Sequence, residues 1–317
     1  MQEHLSPSAP IPPPAAAASH AAPIPEGCPT PLAWQEVLAS VERDGRASEF
    51  VDDDAVVRQI VLGDGPPLWF LNGFTGDSRL YALLAWLLRD RFECRLVDID
   101  WRAAPPAPAA LTDGLADALT GAMRAAGGGP PILYGADYGA CLAIAIAARS
   151  QDAVRAMILQ GGFLRLRDSW TERLLAAIGR RVRRPTGTLA AWRTIQESNH
   201  RHWFPPMDPT RWEFLMQNRG ATSVADLSRR LRAASAIDLR PRLSQVRAPA
   251  LVLRTEGDGR VRSSAQDELV ERLPRVSEEM LHTTGHFAFL THPHRVAKLV
   301  RAFADSLLPS PATPPAP

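Results

Sequence analysis

Short apolar runs bounded by charged or turn-forming residues alternate along this chain with longer stretches whose apolar positions recur at helical spacing. The runs at 68–71, 94–99, 131–134, 156–159, 250–253 and 279–281 predict strands, and the stretches at 80–89, 111–125, 138–149, 265–273 and 294–308 predict the helices between and after them. Ahead of these, 32–43 reads as a short helix and the segments around Phe50 and at 55–62 as a strand pair. Strands that are apolar without alternation are buried on both faces, so this order predicts an α/β fold with a mostly parallel central sheet flanked by helices. The rhythm breaks between Phe163 and Leu239. That stretch is helical in pattern throughout and predicts a helical cap inserted over the end of the sheet where the loops gather.

Composition changes the picture at the two ends. Residues 1–31 hold nine prolines and an alanine run, and 309–317 hold five more prolines, which predicts disordered tails on either side of the fold. The expected organisation is therefore tails at 1–31 and 309–317, a core formed by 32–162 and 240–308, and a cap at 163–239. Basic residues exceed acidic ones by only two, 36 against 34, which is too even a balance for a nucleic-acid binder. Lys298 is the only lysine, so the arginine excess, including the cluster Arg165, Arg167, Arg173, Arg180, Arg181, Arg183 and Arg184, reads as a compositional habit that gives a solvated helix face, with attraction of an anionic substrate as the alternative. Cys28, Cys94 and Cys141 fit neither a disulfide framework nor a metal cluster. With no signal-like start and no apolar run long enough to span a bilayer, the expectation is a cytoplasmic protein with a small-molecule partner and no nucleic-acid or membrane partner. Oligomeric state is not legible.

The most informative segment is Ile132-Leu133-Tyr134-Gly135-Ala136-Asp137-Tyr138-Gly139-Ala140-Cys141, a strand that turns into a helix through small residues. An aspartate in that place fits a helix N-cap. The pattern G-x-D-x-G also resembles the α/β-hydrolase superfamily, in which the nucleophile sits on a tight strand-to-helix turn between two glycines. No G-x-S-x-G occurs, so a serine nucleophile is missing. The loop Arg254-Thr255-Glu256-Gly257-Asp258-Gly259-Arg260-Val261 is similar to the family's acid loop, with Asp258 in the matching place and Glu256 as a rival. Asp258-Gly259 also fits an ordinary turn. Gly285-His286-Phe287, followed by Pro293, resembles the family's histidine loop and makes His286 the candidate base. In Leu71-Asn72-Gly73-Phe74-Thr75-Gly76, Asn72 replaces the family's usual histidine, and the resemblance places the oxyanion hole at the backbone N–H groups of Phe74 and Tyr138. The likeness extends over roughly 64–308, apart from the cap.

An aspartate nucleophile suits saturated carbon, because attack on an acyl carbon gives an anhydride and gains little. The resemblance to epoxide hydrolases and haloalkane dehalogenases implies an alkyl-enzyme ester on Asp137, hydrolysed by water that His286 activates and Asp258 orients, with no metal or organic cofactor. Asp137 must be ionised, which the helix N-terminus favours. Each branch of that chemistry meets an obstacle. The chain's three tyrosines, Tyr81, Tyr134 and Tyr138, all lie outside the cap, where epoxide hydrolases keep their proton donors. Tyr138 and Phe74 stand where dehalogenases hold halide with Trp or Asn, and no arginine follows Asp137 to take a substrate carboxylate. Trp170, Trp192, Trp203 and Trp212 offer indole donors or simply anchor the cap. His200 and His202 receive no role. Two alternatives stay open, an enzyme using Asp137 as acid or base without hydrolysis, and an inactive α/β-hydrolase-like binding protein.

Overall fold

The computed structural model describes residues 33–52, 55–101, 107–166, 169–206, 208–256 and 263–308, so the expected tails lie outside it. Eight strands form one sheet in the order β1-β2-β4-β3-β5-β6-β7-β8. They are β1 (Arg46–Val51), β2 (Ala55–Leu62), β3 (Pro67–Leu71), β4 (Glu93–Trp101), β5 (Ile132–Ala136), β6 (Ala156–Gln160), β7 (Ala250–Thr255) and β8 (Val276–Leu281). β2 runs antiparallel to both β1 and β4, and every pairing from β4 through β8 is parallel.

The helices that return the chain between parallel strands cover both faces. One side carries α1 (Trp34–Asp44), α2 (Ala82–Leu88), the short α10 (Ala288–Thr291) and α11 (Pro293–Ser306); the other carries α3 (Pro108–Ala126) and α4 (Tyr138–Arg149). The remaining crossover helix, α9 (Ser263–Arg272), turns Leu269 into the same layer as α3 and α4. β3 shows why its sequence lacks alternation: Leu68 and Phe70 enter one apolar layer, Trp69 and Leu71 the other, and all four are buried. Each such side chain contributes about 1.5–3 kcal/mol relative to exposure. The edge strands behave otherwise. β1 and β8 are mostly exposed, and β8 puts Glu278 and Glu279 on its rim, charges that discourage pairing with another chain. β8 begins at Val276, three residues before the apolar pattern predicts, because its ladder with β7 pairs Ala250 with Val276 whatever the polarity of the residues between.

Between β6 and β7 the described chain is helical, apart from one isolated bridge between Pro185 and Ser223. Its main helices are α5 (Trp170–Gly179), α6 (Trp192–His200), α7 (Pro209–Ala221) and α8 (Val224–Ala236). α5 starts on a capping box in which Ser169 and Glu172 satisfy each other's backbone, and α8 starts on Ser223, whose Oγ accepts from Asp226 N at 3.0 Å. The insertion grips the loop that follows β3. Asn218 accepts from Asp77 N at 3.0 Å and donates to its carboxylate at 2.7 Å, and Thr222 Oγ1 accepts from Gly76 N at 2.7 Å. Among the described residues no helix is long and apolar enough to cross a membrane.

α4 leaves the sheet so close to β3 that a Cβ on Gly139 would lie 2.1 Å from the Leu71 carbonyl oxygen and 2.8 Å from that of Asn72. Both atoms are backbone and cannot yield. Gly139→Ala is expected to cost about 2–3 kcal/mol, read as a fall in melting temperature of roughly 5–10 °C; an unchanged melting curve would show that this approach is not what fixes the turn.

Candidate active site

β5 is buried along its whole length between β3 and β6, and it delivers Asp137 to the head of α4. The turn is tight enough that a Cβ on Gly135 would meet Gly139 O at 2.4 Å and Ala140 N at 2.6 Å, so neither glycine of G-x-D-x-G can carry a side chain. Asp137 itself has φ +52° and ψ −117°, a left-handed backbone that costs a non-glycine residue of order 1–3 kcal/mol. Its backbone is held at both ends: its N–H donates to Gln160 O at 3.0 Å, and its carbonyl accepts from Ala140 N at 3.1 Å. The N-cap reading fails for the side chain, which bonds to no N–H of α4. The carboxylate instead turns to His286, whose Nε2 stands 3.1 Å from Oδ1 and from Oδ2, the bond being aligned on Oδ2. Oδ1 is buried without a hydrogen-bond partner among the described residues.

His286 comes from the loop between β8 and α10 and is 4% exposed. Gly285 before it has φ +64°, and a Cβ there would overlap Trp203 of the insertion at 2.3 Å, so the loop passes directly beneath the indole. The polar anchor of this loop escaped the sequence. Gln160, at the end of apolar β6, donates to the His286 carbonyl at 2.6 Å and accepts from Tyr134 OH at 2.5 Å. The one signal for it was an amide closing the otherwise apolar run Ala-Met-Ile-Leu-Gln.

The third element is the loop after β3. A Cβ on Gly73 would be 2.8 Å from Asp137 Oδ2, which places this loop against the carboxylate. Asn72 closes the loop on itself, accepting from Gly73 N at 2.9 Å and donating to Gly76 O at 2.8 Å. Phe74 stacks on Tyr138 at 5.7 Å and on Phe163 at 6.2 Å, and the Tyr138 hydroxyl pairs with Thr112 at 2.9 Å. Burial pushes that phenol above its ordinary value, so Tyr138 stays neutral. Both expected oxyanion residues thus have side chains engaged as wall. Arg230 of α8 donates to the carbonyls of Gly73 and Phe74 at 3.2 Å each, fixing the peptide planes of this loop.

Three groups of the insertion meet the same place: Arg219, which the sequence did not single out, and His200 and Trp203, which it named without placing them at the site. Arg219, 4% exposed, donates to Thr75 Oγ1 at 2.7 Å and to Gln196, and its guanidinium lies 4.7 Å from the Phe287 ring centre. His200, buried on α6, has its ring 5.8 Å from that of His286. Trp203 completes the set through Gly285. Of the other indoles, Trp212 is core and Trp170 is 71% exposed. A cavity of about 690 Å³ opens beside the loop after β3, lined in part by Gly73, Asp98, Tyr138, Asn218 and Arg230.

Asp258 lies outside the described residues. Its rival Glu256 is exposed and engaged elsewhere: it accepts from Thr283 N at 2.9 Å, stands 3.5 Å from His282 Nδ1, and is held below the usual carboxylate range first by that backbone bond. No group of three or more His, Cys, Asp or Glu suited to a metal ion occurs among the described residues.

Over residues 66–293 the chain matches the alpha/beta hydrolase fold family and belongs to it; it is an enzyme of the hydrolase class in that family. It is 27% identical over 255 residues, 76% of this chain and 95% of the relative, to a pimeloyl-[acyl-carrier protein] methyl ester esterase of Nitrosospira multiformis, and 26% identical over 246 residues, 74% and 93%, to the protein of the same name in Nitrosomonas europaea. Its fold is similar to that of a thermophilic esterase from Thermogutta terrifontis, with TM-score 0.66, 19% identity and 83% and 99% of the two chains covered. It is similar also to an enol-lactonase from Burkholderia xenovorans, with TM-score 0.67, 17% identity and 81% and 100% covered.

Because Asp137 is a strained residue whose buried Oδ1 has no aligned hydrogen bond among the described residues, Asp137→Gly is expected to raise stability by about 1 kcal/mol, read as a melting temperature higher by roughly 2–4 °C. A fall instead would mean that the contact with His286 outweighs the strain.

Proposed function

We propose that this chain hydrolyses a small organic molecule at a saturated carbon, of the epoxide or carbon–halide kind, with Asp137 as nucleophile, His286 as base and Asp258 as the group that orients the imidazole. The reading is carried by one observation: a carboxylate on a strained strand-to-helix turn, directed away from the helix N–H groups, with an imidazole Nε2 at 3.1 Å. An Asp oxygen attacks the carbon, the bond to the leaving group breaks with its electron pair, and an ester forms on Asp137. With the ester in place His286 Nε2 takes a proton from water, and the hydroxide adds to the ester carbonyl. The oxyanion is met by the backbone N–H groups of Phe74 and Tyr138. Collapse returns the electron pair to the alcohol oxygen, which takes the proton of the added hydroxide as the carboxylate is restored, and the proton held on His286 passes to solvent in halide hydrolysis or to the oxygen opened from the epoxide.

The helical insertion at 163–239 serves as a cap in this reading, supported by its grip on the loop after β3 and by Trp203 over Gly285, His200 beside His286 and Arg219 beside Phe287. The curated relatives are named for methyl ester cleavage. A carboxylate at the elbow argues against acyl transfer here, because in the adduct with an ester the carboxylate is a better leaving group than the alkoxide, so the adduct returns to the ester instead of going on to an anhydride. The direct contact between Asp137 and His286 also suits an acid–base pair that moves a proton with no covalent stage, and one experiment separates the two.

His286→Gln exposed to a panel of epoxides, haloalkanes, lactones and esters is expected to gain the mass of one substrate-derived group, mapped to Asp137, while Asp137→Asn/His286→Gln gains none. If the wild type turns over a substrate yet His286→Gln carries no adduct, the covalent route is wrong and the acid–base reading replaces it.

A further inference from the structure

We propose that the outer face of α5, with the arginine-lined cleft beside it, docks on an anionic phospholipid membrane. α5 is packed inside out for a helix on a soluble protein. Its small residues Ala176 and Gly179 face inward, whereas Trp170 is 71%, Leu174 50%, Leu175 68% and Ile178 60% exposed. A Cβ on Gly179 would lie 2.3 Å from Ser228 Oγ and 3.2 Å from Val224 Cγ1, so the contact with α8 admits only small residues. At about 100° per residue the four large side chains share one side of the helix. A patch of this kind is seldom left open on a monomeric surface without a partner.

The charge around the patch has one sign. Between 169 and 191 the chain carries Arg173, Arg180, Arg181, Arg183 and Arg184 against a single carboxylate, Glu172, which is spent on the capping box. All five arginines are exposed. Arg180 and Arg183 also line, with Arg229 and Arg232 of α8, a cleft of about 640 Å³ in which Asp226 is the one carboxylate among the described residues, itself bound to Ser223 and Arg229.

Four guanidinium groups surround the cleft, Arg229 among them already bound to Asp226; the other three offer forked donors to phosphate oxygens, and an adjacent Trp, Leu, Leu and Ile face offers what enters the acyl boundary beneath the headgroups. A second copy fits worse, since a two-fold contact would set these arginines against themselves. An acidic protein would satisfy the arginines without calling for four exposed large apolar side chains. The expectation of no membrane partner rested on the lack of a spanning segment, and docking at the interface needs none. The inference is independent of the reaction assigned to Asp137.

The test mixes the full-length protein with vesicles of phosphatidylcholine alone or with added phosphatidylglycerol. Co-sedimentation at low salt is expected to be at least about tenfold stronger on the anionic vesicles, with a blue shift in tryptophan emission that Trp170→Phe removes. Leu175→Ser/Ile178→Ser and Arg180→Glu/Arg183→Glu, all surface changes that leave the core intact, are each expected to weaken binding about tenfold. No binding, equal binding to both vesicles, or binding without a change at Trp170 overturns the proposal. A dimer in lipid-free ultracentrifugation that Leu175→Ser dissolves would assign the face to self-association. Binding to poly-glutamate that exceeds binding to anionic vesicles, and that survives Leu175→Ser/Ile178→Ser, would assign it to an acidic protein.

Discussion

The structure turns on the close approach of α4 to the backbone at the end of β3. Two parallel strands, β3 and β5, and the helix α4 that follows β5 converge where Gly139 lies against Leu71 O and Gly135 lies against Gly139 O, and no side chain fits at either glycine. The residue between them inherits the turn's geometry. Asp137 takes a positive φ because the strand and the helix leave it no other path, and that backbone lifts its carboxylate off the helix axis. A side chain that would otherwise cap α4 becomes available to His286.

Three polar groups then hold the surrounding loops at fixed distances from that carboxylate. Gln160 ties the His286 loop to β6, Asn72 closes the loop after β3, and Arg230 pins the carbonyls of that same loop from the insertion. In a buried site, such bonds act with little screening by water, so small displacements are resisted strongly. The insertion is therefore joined to the site through the loop after β3, where Asn218, Arg219, Thr222 and Arg230 all make contact. Membership of a fold family built on one elbow explains why the fold of a protein named as an esterase matches that of a chain whose elbow residue is a carboxylate. The fold supplies the position, and the residue placed there supplies the chemistry.

The strands and helices of the core were legible because burial on both faces forces apolar runs, and β3, β5 and β6 are such runs. The edge strand β8 was legible only in its last three residues, since pairing with β7 needs backbone groups and asks nothing of the side chains. Asp137 and His286 stood out through the glycines beside them. Gln160, Arg219 and Arg230 did not, because their partners lie far along the chain and a single polar residue carries no spacing signal. For Arg219 and Arg230 the chain's arginine habit hid the two that are used among many that are not. Sequence also left Asp137 poised between helix cap and reactive group.

What the sequence determined alone is what depends on neighbours in the chain: the alternation of strands and helices, the helical block between β6 and β7, and the glycines that mark a tight turn at Asp137 and a sharp loop at His286. What only the tertiary structure decided depends on residues meeting across the fold. It turned the Asp137 side chain from α4 toward His286, brought Gln160 under the histidine loop, and set Arg230 on the loop after β3. It also chose which side of α5 would be buried. Helical periodicity gives a helix an apolar side, but Gly179 lies so close to Ser228 and Val224 of α8 that the buried side of α5 carries Gly179 and Ala176, and the larger apolar residues of α5 face outward.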